Sequence, residues 1–140
     1  MTMKKESHKM CDITNMKEDK VELDTILEGL KDELPEFVAA AVAGSDGLTI
    51  STLAKDSSVD MSMVGAEFAS IVSMVSKAGR EINAGKLHSS IFSTENYHIL
   101  TSQIGETPFF QIVCLKSDGN IGKARYLMGK VEARIKEAIL

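Results

Sequence analysis

Two glycine and lysine segments mark where phosphate chemistry would have to be sought in this chain. Gly79 to Lys86 (GREINAGK) has five residues between its glycines where a phosphate-cradling loop needs four, and Leu87 stands where that loop carries a magnesium-binding hydroxyl. Gly119-Asn120-Ile121-Gly122-Lys123 is better placed, after an apolar run and before a helical one, where free backbone N–H groups receive anions. It is two residues short of the motif and also lacks the hydroxyl.

Nucleophilic catalysis needs a serine or cysteine beside a base, and the chain has many serines but only His8, His88 and His98. No G-x-S-x-G elbow occurs. His88 and His98 lie in neighbouring segments that are expected to pair, so their imidazoles could approach; without a carboxylate or thiol partner they make a poor metal site. Cys11 and Cys114 belong to no C-x-x-C pair and have no histidine at ligand spacing, which fits a reduced compartment. Cys114 sits in the most apolar segment and reads as a buried, inert hydrophobe, Cys11 as an exposed tail thiol. These residues predict no catalytic set, no metal site and no cofactor site.

The elements that carry them form one domain, since 140 residues with 44% hydrophobic content bury one core and are too few for two ordinary domains. The 16 basic and 20 acidic residues are spread along the chain, which argues against a nucleic-acid footprint. The first residues lack the apolar stretch of a signal peptide and no run of 18 apolar residues occurs, so no membrane insertion is expected and the cytoplasm is the predicted location.

Residues 1–14 are polar and without period, and read as a flexible tail, with the domain covering 15–140. Asn15 and Glu18 resemble a capping box, Leu23, Ile26, Leu27, Leu30 and Leu34 then share a helical face, and Pro35 ends that helix. Phe37 to Ala43 and Leu48 to Leu53 flank Gly44-Ser45-Asp46-Gly47, the turn chemistry of a hairpin. Asp60 is placed to cap a long second helix whose expected core stripe is Met61, Val64, Phe68, Ile71, Val75, Ala78 and Ile82. His88 to Thr94 and Tyr97 to Ile104 alternate as a more polar hairpin near a sheet edge, and Phe109 to Leu115 reads as a central strand covered on both faces. Ile121, Ala124, Met128, Val131, Ile135 and Ile139 line a third helix, so the order is α-β-β-α-β-β-β-α.

This order, with AAAVAGSDGLTI at Ala39 to Ile50 and NIGKARYLMGKVEARI at Asn120 to Ile135, resembles the roadblock (dynein light chain) family, including its bacterial and archaeal branch of Ras-like GTPase regulators. The resemblance runs from about Asp19 to Leu140. It implies an α/β (α+β) profilin-like fold: a five-stranded antiparallel sheet in order 2-1-5-4-3, with the first and third helices on one face and the second on the other. It also implies a homodimer or heterodimer joined through third strands and second helices, here expected as a homodimer, which binds a small Ras-like GTPase without being an enzyme, either stimulating GTP hydrolysis or only recruiting the partner.

The residues supply physical reasons for such an interface. Gly65, Ala69, Val72, Ser76 and Gly79 form a small-residue stripe beside the core stripe of the second helix. Small residues permit close approach, of the helix to its own sheet or of a second helix; interior glycines cost up to about 1 kcal/mol each and invite a packing reason, and we favour a second helix. Ser89, Ser90, Ile91, Phe92 and Ser93 form an edge segment without proline, lysine or glycine to block pairing. On the GTPase platform that the resemblance implies, Met63, Glu67, Met74, Lys77 and Arg80 are the expected contacts. The rival reading is a PAS or profilin-like ligand sensor, which needs a preformed pocket; the small and aliphatic strand residues read instead as a filled core.

Overall fold

A computed structural model describes residues 12–56 and 58–140. Helix α1 (Asp12–Glu33) leads into the hairpin β1 (Phe37–Gly44) and β2 (Thr49–Ala54), and α2 (Met61–Glu81) follows. The strands β3 (Ser89–Ser93), β4 (Tyr97–Gln103) and β5 (Phe109–Lys116) and the helix α3 (Ile121–Ile139) complete the chain. The sheet is antiparallel in the order β2-β1-β5-β4-β3, as expected.

Local chemistry accounts for most element ends. Pro35 stops α1 at Glu33, and the Phe37 N–H turns back to the Leu34 carbonyl at 3.0 Å. In the β1–β2 turn Gly47 takes φ +90°, which glycine adopts freely, while the Asp46 carboxylate accepts from the Leu48 N–H at 3.1 Å. The Asp60 side chain caps α2 by accepting from Ser62 and Met63 N–H groups. At its far end the Ala84 N–H donates to the Gly79 carbonyl and the Asn83 N–H to that of Arg80, with Asn83 at φ 58°, a Schellman closure.

The start of α1 differs from expectation. Asp12, Ile13 and Thr14 belong to the helix, and Asn15 lies inside it and cannot act as its N-cap. The remainder of the supposed tail, including Cys11 and His8, lies outside the described residues.

The two sheet faces are filled differently. On one, α1 and α3 close over Val42, Leu100, Val113 and Leu115 with large aliphatic side chains such as Leu23, Ile26, Leu27 and Ile135. On the other, α2 alone packs against Ala39, Ala41, Ala43, Phe110 and Ile112. It lies over the β1 and β2 half of the sheet.

Candidate functional site

The packing of α2 reverses the expected roles of its two stripes. Gly65, Ala69 and Val72 are buried against the sheet of their own chain, with Ala69 4% and Val72 7% exposed. A Cβ on Gly65 would stand 2.5 Å from Thr49 Cγ2, so glycine is what allows the helix to approach β2. The small residues thus serve an intramolecular approach, and Gly65, Ala69 and Val72 are corrected from interface to core. Ser76 and Gly79 at the C-terminal end stay half-buried.

The stripe expected to be core divides instead. Met61 is buried, and Val64, Phe68 and Ile71 are half-buried. Val75 and Ile82 stand 40% and 76% exposed, and Ala78 is exposed as well. The helix leans this apolar flank toward the edge strand, where the Phe68 ring meets Phe92 with centroids 5.5 Å apart.

β3 is an outer strand, paired among the described residues only with β4. Ser89, Ile91 and Ser93 are exposed, while Ser90 and Phe92 turn to the α2 side and are half-buried. The Ser90 hydroxyl is bonded to that of Thr101. The outer backbone edge of β3 is unpaired among the described residues, and the Phe92 side chain of that strand reaches the apolar flank of α2 at Phe68.

Met63, Glu67, Met74 and Lys77 lie together on the outward face of α2, the two methionines 64% and 72% exposed. Arg80 is exposed too, but it lines a cleft at the end of the helix instead of continuing that face.

Residues considered for chemistry do not converge. The His88 carbonyl faces Gln103 at one end of the hairpin and His98 pairs with Ser93 at the other, about 17 Å apart at strand rise, so the two histidines do not meet. His98 Nε2 lies 2.9 Å from the Ser117 carbonyl, which only accepts, so that nitrogen carries the proton and Nδ1 accepts from the Ser93 hydroxyl at 2.7 Å. This pair ties the end of β3 to the loop before α3, and neither residue lines the α2 cleft. Asn120 caps α3 by accepting from the Lys123 N–H at 3.0 Å, which occupies a donor that the glycine segment would have offered an anion. Among the described residues no three His, Cys, Asp or Glu side chains gather as a metal site, and no helix is long and apolar enough to cross a membrane.

A five-stranded antiparallel sheet in this order, with two helices on one face and one on the other, defines the roadblock and profilin-like class of α/β domain. The family model described as Roadblock/LC7 domain matches residues 23–115, well over half of the chain, and the chain belongs to that family. Among solved structures it is similar to a Roadblock/LC7 domain from Streptomyces avermitilis, with a TM-score of 0.76 at 17% identity over 83% of this chain and 96% of that one. MglB from Myxococcus xanthus superposes with a TM-score of 0.72 at 12% identity, covering 89% of this chain and 92% of that one. Profilin IA from Acanthamoeba castellanii shares the fold more loosely, with a TM-score of 0.52 at 17% identity over 84% and 97% of the two chains. No curated protein sequence matches.

Proposed function

We propose that this chain is a homodimeric, non-catalytic regulator or scaffold of the cytoplasm that binds a small Ras-like GTPase. The observation that carries the reading is the adjacency of two unfinished surfaces, the open edge of β3 and the apolar flank of α2 at Phe68, Ile71 and Val75. One symmetric contact buries both.

Strand geometry supports a particular register for that contact. The Gln103 N–H donates to the His88 carbonyl and the Thr94 N–H to that of Tyr97, both at 2.8 Å, so even-numbered residues of β3 bond inward to β4. Ser89, Ile91 and Ser93 then direct their backbone groups outward. A two-fold axis through Ile91 pairs Ser89 with Ser93 of the partner subunit, continues the sheet from one subunit to the other, and lays the two α2 helices side by side.

Membership of the Roadblock/LC7 family and the likeness to MglB support a GTPase as the partner. The platform for it is the outward face of the paired helices, where Met63 and Met74 offer adaptable apolar contact and Glu67 and Lys77 offer charge. No arginine finger is assigned: Arg80 points to the α2 cleft, and any stimulation of hydrolysis acts by repositioning the switch segments of the GTPase itself.

Light scattering tests the reading. The protein should run at twice its chain mass of 15.2 kDa, Val75→Asp should bring it to monomer mass without unfolding it, and one nucleotide state of a Ras-like GTPase should bind selectively. A monomer that persists at high concentration, or indifference to every such GTPase in both nucleotide states, overturns it.

A further inference from the structure

Beside the platform, at the C-terminal end of α2, a cleft of about 490 Å³ opens between the helix, the loop that follows it and the turn joining β4 to β5. Its floor is apolar, made by Ala69, Val72 and Phe110, with Leu87 and Pro108 on the walls. A volume of this size holds one large side chain and its neighbours. Two cations stand at its mouth, Arg80 on the helix and Lys86 on the loop.

The two cations are not equivalent. Lys86 is bound to Glu106 across the two loops, and that hydrogen bond, followed by the lysine's charge, holds the Glu106 carboxyl below its usual range. Arg80 has no carboxylate within ion-pair distance among the described residues. The cleft therefore combines an apolar floor with one uncompensated guanidinium, a group that takes carboxylates bidentately. Ser73 and Arg80 of the cleft sit next to Met74 and Lys77 of the outward face, so a body resting on that face covers the cleft mouth.

We infer that this cleft receives an apolar side chain flanked by a carboxylate, presented by the GTPase that docks on α2, and that it sets which GTPase is accepted; the inference rests on the platform reading above. Arg80 is the specificity contact and Phe110 the floor of the pocket.

N-Acetyl-L-phenylalanine, which carries both chemistries, probes the cleft directly. In an NMR titration of the full chain it should shift the amides of Ser73, Leu87 and Phe110 saturably at millimolar concentration. The neutral N-acetyl-L-phenylalaninamide, and the acid added to Arg80→Glu, should bind at least fivefold more weakly. Equal binding of acid and amide, or no saturable shift, overturns the inference. With the GTPase, Arg80→Glu and the cleft-filling Ser73→Phe should each weaken binding tenfold or more at unchanged dimer mass, with Arg80→Lys between them and the native chain. If Met74→Asp abolishes binding while Arg80→Glu and Ser73→Phe stay within twofold of native, the cleft inference fails and the platform stands. If all three bind as the native chain does, the platform reading fails and the cleft inference with it.

Discussion

The two faces of the sheet teach different things about how this chain uses its apolar residues. The face under α1 and α3 is sealed: Leu23, Ile26, Leu27 and Ile135 are each 1% exposed or less. Under α2 the closest approach is made by small residues, alanines on β1 against Gly65 and Ala69 on the helix, with Phe110 and Ile112 of β5 beside them. Larger apolar groups of α2 are left partly outside, from half-buried Phe68 to Val75 at 40% exposed. The sealed face spends its large side chains on folding; the open face leaves several of them partly in solvent, where the proposed dimer would cover them.

The largest effect expected from this contrast is on the sealed face. Leu27→Ala should cost about 3 kcal/mol in urea unfolding, the usual range for a buried leucine being about 2–5 kcal/mol. Val75→Ala should cost the isolated subunit less than about 1 kcal/mol, because much of that side chain is already in water. If the proposed dimer forms, its penalty should grow with protein concentration, as linkage to dimerisation requires. Similar costs for both substitutions at every concentration would break the comparison.

The glycines of α2 sharpen it. At Gly65 an added Cβ meets Thr49 Cγ2 at 2.5 Å, so Gly65→Ala should destabilise by about 1–3 kcal/mol through overpacking. At Gly79 the same atom meets the Gly85 carbonyl oxygen at 3.6 Å, an ordinary contact, so Gly79→Ala should gain up to about 1 kcal/mol in helix propensity. Opposite signs in thermal melts of the two variants are the expected result.

That pair also shows why sequence pattern alone assigns the two stripes of α2 the wrong way round. Ranking by side-chain size assigns Phe68, Ile71 and Val75 to the core and leaves the glycines over for a partner. The missing information was the surface beneath: Ala39, Ala41 and Ala43 alternate along β1 on one face, a flat surface that a helix bearing small residues approaches closely. By contrast both hairpins, the Asp60 cap and the exposed Met63 and Met74 were legible, because turn chemistry, capping and period act locally, while the strand order followed from the family resemblance. His98 lies in β4 as expected, whereas His88 falls just before β3, and the register of β3 on β4 sets the two at opposite ends of the hairpin, so the expected approach fails.

Cys114 tests how dry the α2 face is at its middle. Burial pushes its thiol from 9.0 up to about 11. The unfolded chain then loses its proton before the folded one does. The thiol's contribution is intact below pH 9 and is lost as the pH rises toward 11, by up to roughly 2 kcal/mol. Cys114→Ala should remove that part of the stability loss above pH 9. An unchanged slope would mean that water reaches β5 from the open side.

The smallest effect belongs to a buried amide on the sealed face. Gln111 is fully buried on β5, and its Nε2 donates to the Met128 carbonyl at 3.0 Å, tying the sheet to α3. Its Oε1 has no partner among the described residues, which costs about 1–3 kcal/mol against a bond worth about 1 kcal/mol. Gln111→Leu removes both and keeps the volume, so stability should stay within about 1 kcal/mol of the native value. If Gln111→Leu instead loses more than about 2 kcal/mol, the amide oxygen has a bridging water for a partner, and the sealed face is less dry than its leucines suggest.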